Sequence, residues 1–314
     1  MGSQTAPVTA PTTVLKWVLD TRNLWPEANE TWDLSTETWA DPSCPQASRA
    51  LALLTPEERK DVLRFYHVKD AKLALGSSLL KRLAISTYCG VGWDAAAWTR
   101  DARTKPVFLL PDGSEPLLFN VSHQAGLVVL LAAHGAPPGT SIGVDVVCPP
   151  ERRSRDHAVI AADGWPQFVD IHGEVFSTGE VARLKALPLA PLDRLLAYFY
   201  SLWCLREGYV KMSGEALLAP WLRELDLRYF APPGEVPPEG RGFEIWFREK
   251  RVDDVDMRLE WLLDEYMVCT AVRWGKTYEA PVEGEDDMGK PFTHLTMDQV
   301  LADAEAARET KGKD

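Results

Sequence analysis

The chain has 314 residues, of which 46% are hydrophobic, and it carries a formal net charge of -12 at neutral pH. This length and composition supply a buried core for one large or two modest domains, and they exclude an intrinsically disordered protein. The acidic balance, without a concentrated run of lysine and arginine, argues against nucleic acid as the main partner.

The cysteines and the chain start bear on the cellular setting. The 5 cysteines are odd in number, widely spaced and never arranged as Cys-x-x-Cys, so neither a disulfide framework nor a zinc site is indicated. Residues 2–13 lack the apolar core of a signal peptide, and no later apolar run is long enough to span a bilayer. These features predict a reducing, cytoplasmic setting and no membrane attachment.

The first half, residues 1–140, is expected to be an α+β unit. Thr55 precedes Pro56 and two glutamates, a combination that starts helices. Residues 25–48 are rich in Pro, Thr, Glu and Trp and predict a loop or an insertion. The further predictions are a strand at 16–20, a helix at about 70–88, strands at 108–110, 119–121 and 127–132, and a Pro/Gly hinge at 136–140.

The second half, residues 141–290, starts the pattern again, so two α+β halves of similar size are expected. Residues 291–314 form a charged tail, in which residues 296–308 predict an Ala-rich helix capped by Thr296. We expect this tail to be peripheral. The elements predicted in the second half are a strand at 142–147, helices at about 165–187 and 192–212, and strands near 225–229, 243–247, 257–263 and 266–272, with a Pro/Gly-rich loop at 228–241.

The predicted helix at 192–212 is apolar nearly all round, yet it carries Arg206, Glu207 and Lys211. An apolar circumference predicts burial, and a buried charge is costly unless it is paired or bound to a metal. Glu207 and Lys211 stand four residues apart and therefore share one face of the helix. The segment predicts a buried charged site, although an internal salt bridge explains the same residues when they are taken alone.

Two further segments place polar groups on short strands. Asp145 lies in an apolar run that predicts a buried strand, so it needs a cation or several hydrogen-bond donors, or else caps a nearby loop. Ser122 and His123 follow a short strand, where they are suited to hydrogen-bond a phosphate oxygen. Basic side chains interleaved with apolar residues are the candidates to hold such a phosphate, and they are Lys69, Lys72, Arg100, Arg103 and Lys105.

Other classes of enzyme are disfavoured. A Ser/His/Asp hydrolase could be assembled from Ser122, His123 and Asp145, but adjacent side chains on a strand point to opposite sides and no Gly-x-Ser-x-Gly turn is present. The chain also has neither a Walker loop nor a Gly-x-Gly-x-x-Gly motif after a strand, which disfavours P-loop NTPases and dinucleotide oxidoreductases. If phosphate is bound, side chains must therefore hold it.

In order along the chain, these segments resemble the surfactin-type 4'-phosphopantetheinyl transferases, the large pseudo-dimeric members of that family. The segment from Lys211 to Leu225 is similar to the fungal members in particular. Each motif alone is weak, but their order and spacing together are specific and cover most of the chain. The matching motifs are Arg64-Phe65-Tyr66-His67 with Asp70-Ala71, Lys105-Pro106, Phe119-Asn120-Val121-Ser122-His123, Gly143-Val144-Asp145, Phe176-Ser177 and Trp203-x-x-Arg206-Glu207-x-x-x-Lys211.

The resemblance implies an α+β, pseudo-dimeric fold whose active site lies in the cleft between two similar α/β halves. It implies a monomeric enzyme that transfers the 4'-phosphopantetheine arm of coenzyme A to a serine of acyl or peptidyl carrier protein domains and releases adenosine 3',5'-bisphosphate. Coenzyme A is then the co-substrate, and Mg²⁺, or Mn²⁺ in its place, is the metal. The carriers expected for such an enzyme belong to polyketide synthases, non-ribosomal peptide synthetases, fatty acid synthases and lysine biosynthesis.

By resemblance, Asp145 and Glu207 hold the metal against the pyrophosphate, and Glu207 is the candidate base for the carrier serine. Lys211 contacts the phosphate and steadies the leaving oxygen, while His123 donates to a pyrophosphate oxygen. The other residues expected to bind coenzyme A are Lys69 and Arg100 on the 3'-phosphate side, with Lys105, Ser122 and Arg206.

The chain departs from the family pattern at two positions. Arg206 stands where the family usually has a lysine before the metal-binding glutamate, which keeps the charge but changes its reach. Val147 stands where some bacterial relatives have a second acid, so two carboxylates would hold the metal, with Gln124 or waters completing the shell. These departures leave open a catalytically impaired relative that only binds coenzyme A or a carrier protein. A structural interaction protein with a buried polar network is a third alternative.

The surface that receives the carrier protein is predicted from apolar residues. Leu217, Leu218 and Trp221 closely follow the helix that carries Glu207. Exposed apolar groups beside an active site suit a small helical partner, although the same residues equally suit a core.

Overall fold

The computed structural model describes residues 12–26, 45–188, 190–215, 219–278 and 287–309. Most of the polar chain start, most of the loop predicted at 25–48, and Leu217 and Leu218 lie outside these described residues. No helix in the described ranges is long and apolar enough to cross a membrane.

The elements up to residue 134 are, in chain order, β1 (Thr13–Asp20), α1 (Pro45–Ala52), α2 (Pro56–Leu63), α3 (Val68–Cys89), β2 (Thr99–Arg100), β3 (Pro106–Val107), β4 (Leu117–Gln124) and β5 (Leu127–His134). The elements that follow are β6 (Ser141–Val147), α4 (Pro149–Asp163), α5 (Trp165–Ile171), α6 (Thr178–Lys185), α7 (Leu192–Ser213), β7 (Leu225–Arg228), β8 (Glu244–Phe247), β9 (Lys250–Val252), β10 (Val255–Leu262), β11 (Tyr266–Arg273), β12 (Thr293–Leu295) and α8 (Met297–Glu309).

The two main sheets have the same topology. In the sheet ordered β12-β1-β5-β4, strand β1 is followed by α3 and by the hairpin β4–β5, whose second strand pairs antiparallel with β1. In the sheet ordered β10-β11-β6, strand β6 is followed by α7 and by the hairpin β10–β11, whose second strand pairs antiparallel with β6. Both long helices have 22 residues and end at a left-handed glycine, Gly90 at φ 63° and Gly214 at φ 75°. The expectation of two similar α/β halves is confirmed.

Alternation along the strands sets which side chain faces which layer. On β5, Leu130 packs toward α3, whereas its neighbour Val129 packs between the two sheets. On β6, Val144 packs between the sheets. Asp145, the next residue, therefore faces α7, the helix that carries Arg206, Glu207 and Lys211.

The edge strands of the two sheets, β4 and β6, meet along a seam. The side-chain oxygen of Asn120 on β4 accepts a hydrogen bond from the Val144 backbone N–H at 3.0 Å, so a side chain satisfies the open edge of β6. Farther along, the Tyr266 hydroxyl donates to the Ala125 carbonyl oxygen at 2.7 Å. The two halves are therefore joined by directed hydrogen bonds as well as by apolar packing.

Local sequence accounts for the start of the short helices. Thr55 caps α2, since its hydroxyl oxygen accepts from the Glu58 N–H at 3.2 Å and the Glu58 carboxylate accepts from the Thr55 N–H at 3.0 Å. Ser177 and Glu180 form the same capping box at the start of α6. The helix start predicted at Thr55 is confirmed.

The C-terminal residues are where the sequence prediction was wrong. Strand β12 pairs in parallel with β1, and α8 buries Met297, Val300, Leu301 and Ala304 in the core of the first half. The tail is therefore not peripheral between Thr293 and Glu309, because its apolar side chains complete a core built from residues far earlier in the chain.

Other short segments also differ from the prediction. Residues 108–110 do not form a strand, and the pairing lies just before them in β3. Helices α1 and α4 were not predicted. Each is short or mostly polar, and the burial of α1 residues Ala47, Ala50 and Leu51 depends on the tertiary core.

Candidate active site

The candidate site forms where α7 lies almost in contact with β6. A Cβ atom at Gly143 on β6 would lie 2.3 Å from the Gly208 carbonyl oxygen and 2.4 Å from the Met212 backbone nitrogen. A Cβ atom at Gly208 on α7 would lie 2.6 Å from the Cys269 sulfur. Because neither glycine has a side chain, helix and strand approach closely enough for residues of α7 to reach Asp145 directly.

Asp145, Ser122 and Lys211 form a hydrogen-bonded cluster at the seam between the halves. The Lys211 ammonium donates to Asp145 Oδ1 at 2.7 Å and to Ser122 Oγ at 2.8 Å. The Ser122 hydroxyl in turn donates to Asp145 Oδ1 at 2.9 Å. Asp145 and Ser122 are buried and Lys211 is half-buried. A carboxylate that is costly to bury is thus stabilised by a cation and a hydroxyl group.

Glu207 lies one helical turn before Lys211 and is the second acid of the site. Burial and the negative charge of Asp145 raise the pKa of Glu207 to about 7, and the Lys211 ammonium opposes this rise. The side chain is half-buried. Two acids therefore share a single ammonium, which favours the binding of a further cation.

His123 follows Ser122 on β4, near enough to Lys211 for the lysine charge to act on it. Loss of water around the imidazole and the positive charge of Lys211 lower the pKa of His123. The charge of Lys81 lowers it further, whereas the charge of Asp70 raises it. The imidazole is therefore neutral at neutral pH and can donate one hydrogen bond to a phosphate oxygen.

The donor set of the site fits a hard divalent metal ion. Asp145 and Glu207 supply carboxylate oxygens, which Mg²⁺ takes together with waters and phosphate oxygens. Within the described residues, no group of three or more His, Cys, Asp or Glu side chains could surround a metal, so a metal here would take two protein carboxylates. Gln124, the residue considered as a further ligand, donates from its side-chain amide to Glu151 at 2.8 Å.

Two of the basic residues predicted to bind coenzyme A lie in the loop around β2 and β3. Arg103 fixes this loop to the end of α7 by donating to the Ser213 carbonyl oxygen at 3.3 Å. Arg100 is exposed, and its guanidinium donates to the Thr104 carbonyl oxygen at 2.7 Å. Lys105 is half-buried, and burial lowers its pKa. The loop therefore contacts, through Arg103, the helix that carries Glu207 and Lys211.

Lys69 lies on α3, the long helix of the first half. It is exposed in the first turn of α3 and lines a cavity of about 310 Å³, together with Gly126 and Glu151. Lys72, the other basic residue considered on this helix, is buried and donates to the Leu24 and Trp25 carbonyl oxygens, so it stabilises the fold.

The prediction that Arg206 binds coenzyme A is wrong. Its side chain is 1% exposed and donates to both carboxylate oxygens of Glu180, at 2.6 and 2.8 Å, and to the Leu225 carbonyl oxygen at 3.0 Å. Arg206 also donates to the Leu222 carbonyl oxygen. The guanidinium is thus enclosed within the second half and points away from Asp145.

The prediction of a carrier-docking surface near Trp221 is only partly addressed by the structure. Trp221 is half-buried and packs against Tyr209 and Phe247, with ring centroids 6.2 and 5.6 Å away. Its indole N–H donates to the Glu215 carboxylate. Trp221 therefore belongs to the core of the second half, while Leu217 and Leu218 lie outside the described residues.

The sequence reasoning missed Lys81 and Trp98. Lys81 is buried in α3, and its ammonium lies 3.4 Å from the centroid of the Trp98 ring. The signal was available, because Lys81 and Arg82 interrupt the apolar residues of α3 much as Arg206 and Glu207 interrupt those of α7.

A duplicated α/β fold with two acids and a lysine on its seam, and basic residues around them, is suited to an enzyme that transfers a phosphate-linked group. The family model "4'-phosphopantetheinyl transferase, N-terminal" matches residues 37–135, and "4'-phosphopantetheinyl transferase superfamily" matches residues 141–253. The chain belongs to the 4'-phosphopantetheinyl transferase family, and it is an enzyme of that class. The surfactin-type subdivision stays a prediction.

Three related proteins are similar in sequence to this chain over most of its length. The 4'-phosphopantetheinyl transferase 1 of Fusarium mangiferae is 54% identical over 94% of this chain and 96% of its own length. The 4'-phosphopantetheinyl transferase A of Aspergillus fumigatus is 33% identical over 82% of both chains. The human L-aminoadipate-semialdehyde dehydrogenase-phosphopantetheinyl transferase is 29% identical over 87% of this chain and 85% of its own. The similarity to fungal members that the sequence predicts is confirmed.

Proposed function

We propose that the protein transfers the 4'-phosphopantetheine arm of coenzyme A to a serine of acyl or peptidyl carrier protein domains, which converts them from the apo to the holo form. The observation that carries this proposal is the hydrogen-bonded cluster of Asp145, Ser122 and Lys211, with Glu207 one turn away on the same helix. Membership in the transferase family supports it. We also propose that the enzyme acts in the cytoplasm and as a monomer. The presence of both halves in one chain supports the monomeric state.

Asp145 and Glu207 are the residues that would hold Mg²⁺, or Mn²⁺ in its place. The metal would supply positive charge that neutralises the pyrophosphate oxygens of coenzyme A. Lys69, Arg100 and Lys105 would contact other parts of the same molecule, which carries several negative charges and needs cations to replace water.

The residues of the cleft account for the transfer step. The carrier serine hydroxyl attacks the phosphorus that bears the pantetheine arm, the bond from this phosphorus to the bridging pyrophosphate oxygen breaks, and adenosine 3',5'-bisphosphate leaves. Glu207, directly or through a water, accepts the proton of the hydroxyl. Lys211 donates to the leaving oxygen, and His123 donates to a phosphate oxygen.

Ser122 and Asp145 also position Lys211. Both accept a hydrogen bond from its ammonium, so the flexible lysine side chain is held in one orientation before the substrate arrives. This arrangement predicts that loss of Asp145 disturbs the lysine as well as the metal.

Intact-protein mass spectrometry tests the proposal. An apo carrier protein is incubated with the enzyme, coenzyme A and Mg²⁺, and a gain of one phosphopantetheine mass on the carrier is expected. Because the metal neutralises charge in the step, EDTA should abolish the gain and added Mg²⁺ should restore it. No mass gain on several fungal carrier domains would contradict the proposal.

Variants of the two acids test the residue roles. We expect Asp145→Asn and Glu207→Gln each to lower the rate of carrier loading by about 100-fold or more, because each substitution removes a negative charge from the site. Asp163→Asn, which changes an exposed acid at the end of α4, is the matched control and should load carrier at the wild-type rate. Wild-type loading by either site variant would contradict the role assigned to that acid.

A further inference from the structure

Lys81 is a buried cation without an acid beside it. Its side chain is 6% exposed, in the middle of α3. Glu58, the acid whose charge acts on Lys81, is held by Arg82 in an ion pair at 2.9 Å. Within the described residues, the Lys81 ammonium has no hydrogen-bond acceptor, and its contact is the face of Trp98. Burial of an ammonium in this state is costly, so a ligand that pairs with it is expected.

Trp98 brings two further donors to the same place. The Trp98 indole N–H is buried and has no hydrogen-bond partner within the described residues. The Arg100 guanidinium carbon lies 5.4 Å from the centroid of the Trp98 ring, while the Lys81 ammonium lies 3.4 Å from it. Two cations and an unsatisfied N–H thus gather around one indole, and the charge of Arg100 lowers the pKa of Lys81. A cluster with only donors fits an anion that can accept several hydrogen bonds.

Coenzyme A carries two phosphate-containing groups that need such contacts. The reaction requires its pyrophosphate to lie at Asp145, Glu207 and Lys211. The 3'-phosphate, a dianion on the ribose, is then the group left for a second cluster of cations. Lys81 is close enough to the first cluster for its charge to lower the pKa of His123. Arg100, which lies against Trp98, belongs to the same loop as Arg103, and Arg103 donates to the Ser213 carbonyl oxygen at the end of α7. The second cluster therefore lies on a loop that contacts the helix carrying Glu207 and Lys211.

We propose that Lys81 and the Trp98 indole N–H bind the 3'-phosphate of coenzyme A beside Arg100, which the family resemblance already assigns to that group, and that Lys81 so makes the enzyme select coenzyme A over dephospho-coenzyme A. This inference rests on the proposed function for the identity of the substrate. It assigns to Lys81 a specificity role in ground-state binding, not a role in the transfer step. Met in place of Lys81 would preserve the length and packing of the side chain while removing its charge.

Isothermal titration calorimetry with coenzyme A and with dephospho-coenzyme A, both in the presence of Mg²⁺, tests the inference. For Lys81→Met, we expect the dissociation constant for coenzyme A to rise about 10- to 100-fold, because a charge-assisted hydrogen bond to a phosphate is lost. The dissociation constant for dephospho-coenzyme A should change less than about twofold, and kcat at saturating coenzyme A should stay near the wild-type value. Lys250→Met, which changes an exposed lysine on β9, is the matched control and should change neither constant.

Two results would overturn the inference. An equal loss of affinity for both ligands would show that Lys81 does not act on the 3'-phosphate, and an unchanged affinity for both would show that it contacts neither. Trp98→Phe, which removes only the indole N–H and part of the ring, should show the same selectivity for coenzyme A with a smaller loss. Failure of the proposed function is distinguishable, since it appears as absent carrier loading by the wild-type enzyme, whatever the calorimetry shows.

Discussion

Neighbouring charged residues on the long helices of this enzyme have opposite surroundings. Adjacent helix residues point about 100° apart, so Arg206 faces the interior of the second half while Glu207 faces the cleft. On α3, Arg82 is paired with Glu58, whereas Lys81 has no acid partner among the described residues. Each pair thus contains one charge that is satisfied within the fold and one that is left for a ligand. The closed pairing of Arg206 explains one of the two departures, Arg206 and Val147, that left open a catalytically impaired relative.

The charge on Lys81 should reduce stability in a pH-dependent way. Burial lowers its pKa from 10.5 to about 7, so the unfolded chain holds more protons at this residue than the folded one between these two pH values. The free energy of unfolding therefore rises, as far as Lys81 affects it, when pH increases from 7 toward 10. Below pH 7 the buried ammonium destabilises the fold to its full extent. We expect Lys81→Met to unfold at a higher urea concentration than wild type at pH 6, which corresponds to a gain in the free energy of unfolding on the order of 1–3 kcal/mol. The gain should be smaller at pH 9.

Comparison of the two proteins isolates this effect, because other titrating groups are present in both. Glu58 is paired with Arg82, and His123 has a lowered pKa. Urea titrations at pH 6, 7.5 and 9 supply the measurement. A stability difference that does not vary with pH, or a Met variant that is less stable than wild type at pH 6, would contradict the buried-cation interpretation.

At the level of elements, the sequence predicts what local patterns control. The apolar circumference of α7, the Thr55 capping signal and the buried strand β6 were all found at the expected positions. Asp145, Glu207 and Lys211 could be predicted because charged residues in apolar elements are rare. The burial and ion pairing of Arg206 could not be predicted, since they depend on Glu180, which lies 26 residues earlier and is brought near by tertiary packing. The burial of α8 likewise depends on partners near the start of the chain.

The contact between β6 and α7 predicts a strict requirement for glycine at position 143. In Gly143→Ala, the new methyl group would meet backbone atoms of Gly208 and Met212, which cannot rotate away as a side chain can. We expect the free energy of unfolding to fall by about 1–3 kcal/mol as the helix is pushed from the strand. Carrier loading should fall by about 100-fold, more than the loss of folded protein explains, because Glu207 and Lys211 shift relative to Asp145.

Urea denaturation and mass-spectrometric loading assays on the same protein preparation measure both effects. Gly242→Ala is the matched control, since no atom lies within 4 Å of a Cβ atom at that position. It should leave both stability and loading near wild type. A fully active Gly143→Ala enzyme would show that the close approach of helix and strand does not set the geometry of the site.

At the scale of the whole molecule, the duplication extends to an ion pair in each half. Arg82 is the fifteenth residue of α3 counted from Val68, and Arg206 is the fifteenth residue of α7 counted from Leu192. Each arginine pairs with the glutamate of a capping box on the preceding short helix, Glu58 of α2 and Glu180 of α6. The two pairs fix each long helix to its neighbour. They leave α3 to present Lys81 and α7 to present Glu207.

This duplication predicts parallel losses of stability and different kinetic effects. Glutamine can keep the capping hydrogen bond but leaves the arginine without its counter-charge. Glu180→Gln should lower the free energy of unfolding by about 3–5 kcal/mol, because both partners are fully buried. Glu58→Gln should cost less, about 1–3 kcal/mol, because the Glu58 side chain is 13% exposed and water can reach it.

The kinetic effects should divide according to the residue that each long helix presents. Glu58→Gln disturbs α3, so it should mainly raise KM for coenzyme A, whereas Glu180→Gln disturbs α7 and should mainly lower kcat. Steady-state carrier loading at varied coenzyme A concentration separates the two, with Glu174→Gln at an exposed position as the control. If both variants lowered kcat alone, or if Glu58→Gln cost more stability than Glu180→Gln, the two halves would not divide substrate binding and catalysis in this way.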